Sequence, residues 1–300
     1  MNPRRLSDTI NTMNVRTRAS VPHSDYFPSA RPQRSPGRLL ATLAEDRRGL
    51  VQFWPVIQNM VVQELRVRYQ RSMLGFVWTL LNPILMMGTI ALAFSTIWKT
   101  PLAEYAVYLF AGMVPWGFFS GSLNECAYCI IANEGLIRKI YLPKLVFPLT
   151  RVLINLTTFV LSMGALFLLL KPMGAQFTSA LLLLPVVLVL FTAFTLGLGL
   201  LVATVNTFYR DCGHMVAVVL QAWYFATPIV YYASHFPAEK QWLLWLNPVF
   251  PFIQMFQQII RHGQWPNGTL FLVAAGIATV SLGVGYASFK CHEDKFIFRL

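Results

Sequence analysis

"ALLLLPVVLVLFTAFTLGLGLLVATV", residues 180–205, holds no charged side chain along its whole length. A helix needs about 20 mainly apolar residues to cross ~30 Å of hydrocarbon, so this stretch alone reads as a membrane span. Working outward, five more stretches meet the same criterion: residues 73–98, 105–131, 146–170, 214–232 and 270–289. Pro83, Pro115, Pro185 and Pro228 fall inside spans, where kinks are tolerated if neighbouring helices satisfy the freed carbonyls. Composition agrees. The 300 residues are 56% hydrophobic and 12% charged, with mean hydropathy +0.54, whereas soluble domains carry about 25% charged residues. The expected fold class is an all-α integral membrane protein of six transmembrane helices.

A net charge of +12 would point a soluble protein toward nucleic acid, but here the basic residues flank the apolar runs. Topology is the simpler account, and no nucleic-acid partner is expected. Of the 24 Lys and Arg residues, all but Lys99, Lys171, Lys240 and Arg261 fall on one side if the two termini and the 132–145 and 206–213 loops share that side. The positive-inside rule then puts both termini in the cytoplasm, which requires an even number of crossings. Residues 1–45, rich in Arg, Ser, Pro and Thr, read as a disordered cytosolic tail. Residues 290–300 form a cytosolic C-terminus. Within residues 46–72, Trp54, Ile57, Val61 and Leu65 recur at steps of three and four and share one helical face. This fits an amphipathic helix on the cytosolic surface with Trp54 and Tyr69 at headgroup depth; a cytosolic helix off the membrane is the alternative. Residues 234–268, on the opposite side, are apolar but broken by Pro237, Pro248 and Pro251. Two short helices dipping into the bilayer as a re-entrant hairpin fit this pattern, as do two helices lying flat at the interface.

The chemistry-bearing residues are few. Cys126 and Cys129 form a C-x-x-C inside an apolar helix, with no second pair beside them, and the five His are scattered, so no metal site is expected. Glu125 is the carboxylate placed clearly within a span, and a polar partner on a neighbouring helix is its expected role. Nowhere does Gly precede Lys, so a phosphate-binding loop of the P-loop type is absent. No cofactor is expected on this chain, and any ATP that drives it must bind another. Aromatics such as Trp116, Phe119, Tyr128, Tyr224 and Tyr231 stud two spans; interface belts, core packing and stacking on sugar rings all use such residues.

Five motifs then occur in order: "QELRVRYQRSMLGFVWTLLNP" (63–83), "GMVPWGFFSGSL" (112–123), "NEGLIRKIYLPKLVFPL" (133–149), "NTFYRDCGHMVAVVLQAWYFATPIVY" (206–231) and "WLNPVFPFIQMFQQII" (245–260). Together they resemble the permease subunits of the ABC-2 transporters that export polysaccharide, the O-antigen and teichoic-acid group. The resemblance covers residues 60–260. It implies an inner-membrane protein, a homodimer with a channel at the dimer interface, and two copies of an ATPase chain carrying ATP and Mg. Its cargo would be a polyprenyl-pyrophosphate-linked polysaccharide. Asn133, Glu134, Leu136, Ile137, Arg138 and Lys139 look like the coupling helix that docks into the ATPase, with Leu136 and Ile137 offered to a groove. Arg66, Arg68, Tyr69 and Arg71 look like a gate helix near lipid headgroups, though positive-inside anchoring explains the same arginines. Tyr209, Arg210 and Asp211 would form a local salt bridge or a second ATPase contact. Trp116, Phe119, Tyr128, Tyr224 and Tyr231 would line the channel, and Trp242, Trp245, Phe252 and Phe256 would form a periplasmic gate.

Two rivals stay open: an ABC-2 permease for teichoic acid, capsule or a drug, and a membrane-embedded transferase acting on lipid-linked sugars. The acids between the first and last spans, Glu104, Glu125, Glu134, Asp211 and Glu239, are dispersed in sequence. Alanine replacement of Asp211, Glu125 and Glu134 in turn separates the classes. A transporter subunit makes no bonds on a lipid-linked sugar in the absence of an ATPase, so loss of such an activity in any variant would identify a transferase.

Overall fold

Proline sets the first boundary of the fold. Pro55 has no N–H to continue the helix before it, so the chain breaks at Phe53 and restarts. The computed structural model describes residues 39–70, 77–140, 142–170 and 178–300, and its helical body is Ala41–Leu300. Among the described residues every regular element is a helix: α1 (Leu39–Gln52), α2 (Trp54–Gln70), α3 (Val77–Trp98), α4 (Leu102–Tyr128), α5 (Glu134–Lys139), α6 (Val146–Leu170), α7 (Leu184–Phe208), α8 (Cys212–Ala226), α9 (Trp242–Trp245), α10 (Phe250–Arg261) and α11 (Gly268–His292). Short 3-10 turns cover Ile131–Asn133, Ser179–Leu183 and Glu293–Phe298.

Among the described residues, five helical stretches are long and apolar enough to cross a membrane: Leu80–Trp98, Leu102–Tyr128, Val146–Ala165, Ser179–Phe208 and Gly268–Phe298. The expected span at 214–232 differs. Its helix, α8, has 15 residues, or about 22 Å at 1.5 Å per residue, short of the ~30 Å required. Pro228 is the reason, because it drives Thr227 out of the helical region to φ −100, ψ 134. The expected tail and surface helix also differ: α1 already begins at Leu39, so one helix became two. The tail reading of residues 1–38 lies outside the described residues, as does Arg71.

After α8 the backbone of residues 227–232 is not α-helical, yet it runs through the interior of the bundle. Three of its carbonyls, those of Pro228, Val230 and Tyr231, are met by side chains. The Tyr108 hydroxyl lies 2.9 Å from the Pro228 oxygen and 2.5 Å from that of Tyr231, shared between them. Tyr105 donates to the Val230 carbonyl. Gln257 Nε2 donates to Pro228 O at 2.9 Å, and Asn247 Nδ2 to Thr227 Oγ1 at 2.8 Å.

α4 lies at the centre, packed against α3, α6, α7, α8 and α10. The core between them is phenylalanine. Phe119 stacks on Phe194 at 5.6 Å and 9°, and Phe194 on Phe252 at 5.0 Å and 20°, with Phe191 and Phe256 closing the group. Such ring pairs contribute about 0.5–1.5 kcal/mol each beyond their area.

The tightest helix contact needs no side chain. A Cβ on Gly285 would lie 2.0 Å from the Gly197 carbonyl oxygen, and one on Gly197 would lie 2.4 Å from the Ser281 carbonyl carbon. Ser281 Oγ seals the seam by donating to Phe194 O at 3.0 Å. Close approach of small residues replaces the hydrophobic driving force that lipid cannot supply between helices. Gly285→Leu should therefore force α7 and α11 apart and lower stability by about 1–3 kcal/mol, read as a lower Tm of the detergent-solubilised protein. Gly283→Leu, on the same helix but meeting nothing within 4 Å, should leave Tm unchanged; equal losses in both would refute the contact's importance.

Candidate functional site

Glu64 and Arg68 are four residues apart on α2 and therefore share a face. Each finds a partner on a different helix. Arg68 Nη2 bonds Glu125 Oε1 of α4 at 2.9 Å, and Arg151 Nη1 of α6 pairs with Glu64 Oε1 at 3.2 Å. The two pairs run in opposite sense, so α2 is laced to α4 and α6 by four alternating charges. Glu125 thus has the polar partner expected of it. Its second oxygen, Oε2, is buried with no partner among the described residues. Arg66 is exposed; the side chain of Tyr69 is not described. On the apolar face of α2, Ile57 is fully buried, Val61 and Leu65 are half-buried and Trp54 is exposed.

The turn between α4 and α6 holds α5. Glu134 and Arg138 pair at 2.9 Å along it, and Asn133 Nδ2 donates to Cys129 O at 2.7 Å. Leu136 and Ile137 do not face outward as expected. Both pack against the chain's own cluster of Cys129, Ile130, Leu145, Phe147, Leu200, Ala203, Phe289 and Phe296. The outward surface consists of Ala132, Gly135, Arg138, Lys139 and Ile140.

A buried asparagine organises the neighbouring turn. Asn206, fully buried near the end of α7, donates from Nδ2 to Ala127 O of α4 at 2.7 Å and accepts the Gly213 N–H of α8 at 2.6 Å. Gly213 lets the Tyr128 ring pack onto its backbone: a Cβ there would lie 2.4 Å from that ring, which would have to move. Sequence reading passed over Asn206, although an Asn closing an apolar span seven residues before a Gly is the available signal. Tyr209, Arg210 and Asp211 between them are exposed. The salt bridge anticipated for them does not form among the described residues.

Beside α5, Lys144 Nζ donates to the Glu293 carbonyl, and burial draws its ammonium below the usual lysine range. Next to it Lys290, nearly buried, lies 3.0 Å from Asp46 Oδ1 and 2.6 Å from Glu293 Oε1, while the Tyr286 hydroxyl donates to Asp46 Oδ2 at 2.5 Å. α1 is thereby fixed to the end of α11. Nothing in the sequence pattern pairs residues so far apart.

The aromatics divide. Phe119, Phe252 and Phe256 are core residues with at most 1% exposure, so they line no path in this state. Trp116 is also buried, against Phe119, Trp223 and Tyr224. Tyr128, Trp242 and Trp245 are exposed, and Tyr224 and Tyr231 are half-buried. The expected gate residues are therefore split between the surface helix α9 and the buried face of α10. At the same end Arg261 pairs with Glu104 at 2.6 Å and lies 4.7 Å over the Tyr232 ring. Cys126 and Cys129 are buried thiols, and no group of metal-ligating side chains exists among the described residues.

Comparison with known proteins places this geometry. The ABC-2 type transporter family matches residues 37–260. An O-antigen export system permease protein of Myxococcus xanthus is 32% identical over 251 residues, 83% of this chain and 96% of that protein. A Klebsiella pneumoniae protein of the same name is 26% identical over 237 residues, covering 78% and 90% of the two chains. A polysialic acid transport protein of Escherichia coli is 22% identical over 248 residues, covering 80% and 95%. With its family match spanning most of the chain and its apolar helices in a single bundle, this protein belongs to the ABC-2 type transporter family of membrane proteins.

Proposed function

We propose that the chain is the permease subunit of an ATP-driven exporter of a polyprenyl-pyrophosphate-linked, O-antigen-like polysaccharide. The observation that carries this reading is the 32% identity to an O-antigen export permease along 83% of this chain and 96% of that protein. The subunit sits in the bacterial inner membrane with both termini in the cytoplasm, and two copies pair. Exposed apolar faces on α3 (Leu85, Met86, Leu92, Ile97) and α8 (Met215, Val218, Val219, Phe225) support burial against a second copy and lipid. Two ATPase chains bind ATP and Mg; this chain provides transport, not hydrolysis.

Six crossings fit if α8 and the non-helical residues 227–232 make the fifth together. Beyond the ~22 Å of α8, the carbonyls of Pro228, Val230 and Tyr231 are met by side chains, which makes non-helical backbone tolerable at membrane depth. α9 and α10 then form the hairpin at the periplasmic exit.

The ATPase docks on the outward side of α5, through Arg138, Lys139 and Ile140 rather than Leu136 and Ile137. Charges at such a rim steer and orient a partner. Tyr209, Arg210 and Asp211 supply a second exposed contact beside it. Arg66 remains free to meet a lipid headgroup, while Arg68 is committed to Glu125 until α2 moves.

Deleting the gene should leave the surface undecorated and lipid-linked polymer accumulating in the cytosolic leaflet; an unchanged surface polymer would end the proposal. Reversing charge at Arg138 and Lys139 should dissociate or uncouple the ATPase with insertion intact, as checked by co-purification; unaltered association and export would remove the docking assignment. For the α2 lacing, Arg68→Glu and Glu125→Arg should each reduce export, and the double exchange should restore much of it. A double variant no better than the worse single variant would contradict a role for that pair.

A further inference from the structure

Between the first third of α3 and the middles of α4 and α6 lies a pocket of about 260 Å³. Its lining is unusual for a site among apolar helices. Asn82, an exposed amide, and Ser162, a buried hydroxyl, both line it. Asn155 spends one amide N–H on Arg151 O at 3.0 Å and leaves its carbonyl oxygen free. Thr158 donates to Ile154 O at 3.0 Å, which leaves its oxygen as an acceptor. An amide or hydroxyl in hydrocarbon without a partner is costly, so such groups face either a polar occupant or water.

The donors and acceptors are all neutral. No lysine or arginine lines the pocket to hold a phosphate, and no carboxylate lines it to hold a cation. Two amides and two hydroxyls facing an aromatic wall, Phe118 and Phe159, match a ligand that is uncharged, rich in hydroxyls and apolar on one face. Gly117 contributes open space, since a Cβ there would meet nothing within 4 Å. We infer that this pocket within each protomer is a binding subsite for one uncharged glycosyl unit of the cargo. The assignment rests on the glycan-export reading, and it places a sugar contact away from the aromatic residues expected to line the path.

The test uses the full chain with its ATPase in inside-out membrane vesicles. Asn82→Cys and Ser162→Cys are made with Cys212→Ser and Cys291→Ser, leaving Cys126 and Cys129, which are buried. The probe is a hydrophilic, membrane-impermeant methanethiosulfonate, applied to vesicles with and without the host's lipid-linked polymer. Both new thiols should react, and polymer should slow them by about tenfold, the protection 1 + [L]/Kd at ten times Kd. Equal reactivity with and without polymer would mean water is the sole occupant and would overturn the inference, as would thiols that never react. Gly117→Leu, which fills the pocket from open space, should block export while insertion and ATPase association persist; normal export would also overturn it. Gene deletion separates this inference from the one beneath it. If deletion leaves surface polymer intact, the export reading fails. If deletion removes the polymer but the thiols are unprotected, only the subsite fails.

Discussion

A peptide carbonyl in hydrocarbon has no water to bond, and that constraint governs the whole bundle. Three of the five long spans among the described residues answer it in the usual way, by staying α-helical from end to end, while Ser179–Phe208 opens and Gly268–Phe298 closes with a 3-10 turn. The segment after α8 cannot, because Pro228 stops the helix well inside the protein. Tyr105 and Tyr108 on α4 and Gln257 on α10 supply hydroxyl and amide donors at that point. The central position of α4 and the burial of α10 follow, since both helices must remain against the open backbone to satisfy it. The phenylalanine core then fills the space that this arrangement encloses.

Most of the helical layout was legible because a span announces itself by length and by the absence of charge. Residues 146–170 match α6 end to end, and Ile131–Asn133 and Glu134–Lys139 fall at the loop expected over 132–145. The break in the fifth expected span was illegible for a physical reason: hydropathy counts apolar residues, and Thr227–Tyr232 is mostly apolar without being helical. The direction of Leu136 and Ile137 was also illegible, since a six-residue helix has too few turns for periodicity to reveal which side its neighbours occupy. The pairings of Glu64 with Arg151 and Arg68 with Glu125 were half-legible. Glu125 required some partner, but which arginine met it depended on how α2 crossed two other helices.

At the end of the bundle that carries α5, polar groups do the joining. Asn206 spans α4, α7 and α8 with one side chain, which places Tyr128 against Gly213 and leaves Tyr209, Arg210 and Asp211 projecting. The inward turn of Leu136 and Ile137 ties α5 to the same cluster. A push on the outward face of α5 therefore reaches the ends of α7 and α11 through packed side chains. α2, laced to α4 and α6 by exposed or half-exposed ion pairs, is held more lightly, because pairs in contact with water are worth only about 0.2–1 kcal/mol each.

The buried ammonium of Lys290 has a bearing on biogenesis. Its carboxylate partner Asp46 lies 244 residues earlier in the chain, so α1 emerges from the ribosome long before its counter-charge exists. Contacts of such long sequence separation are the last to form. Until α11 has been made, Asp46 of α1 has no Lys290 to pair with. The docking of α1 then marks the completion of the bundle, as a seal applied only when the final helix is in place.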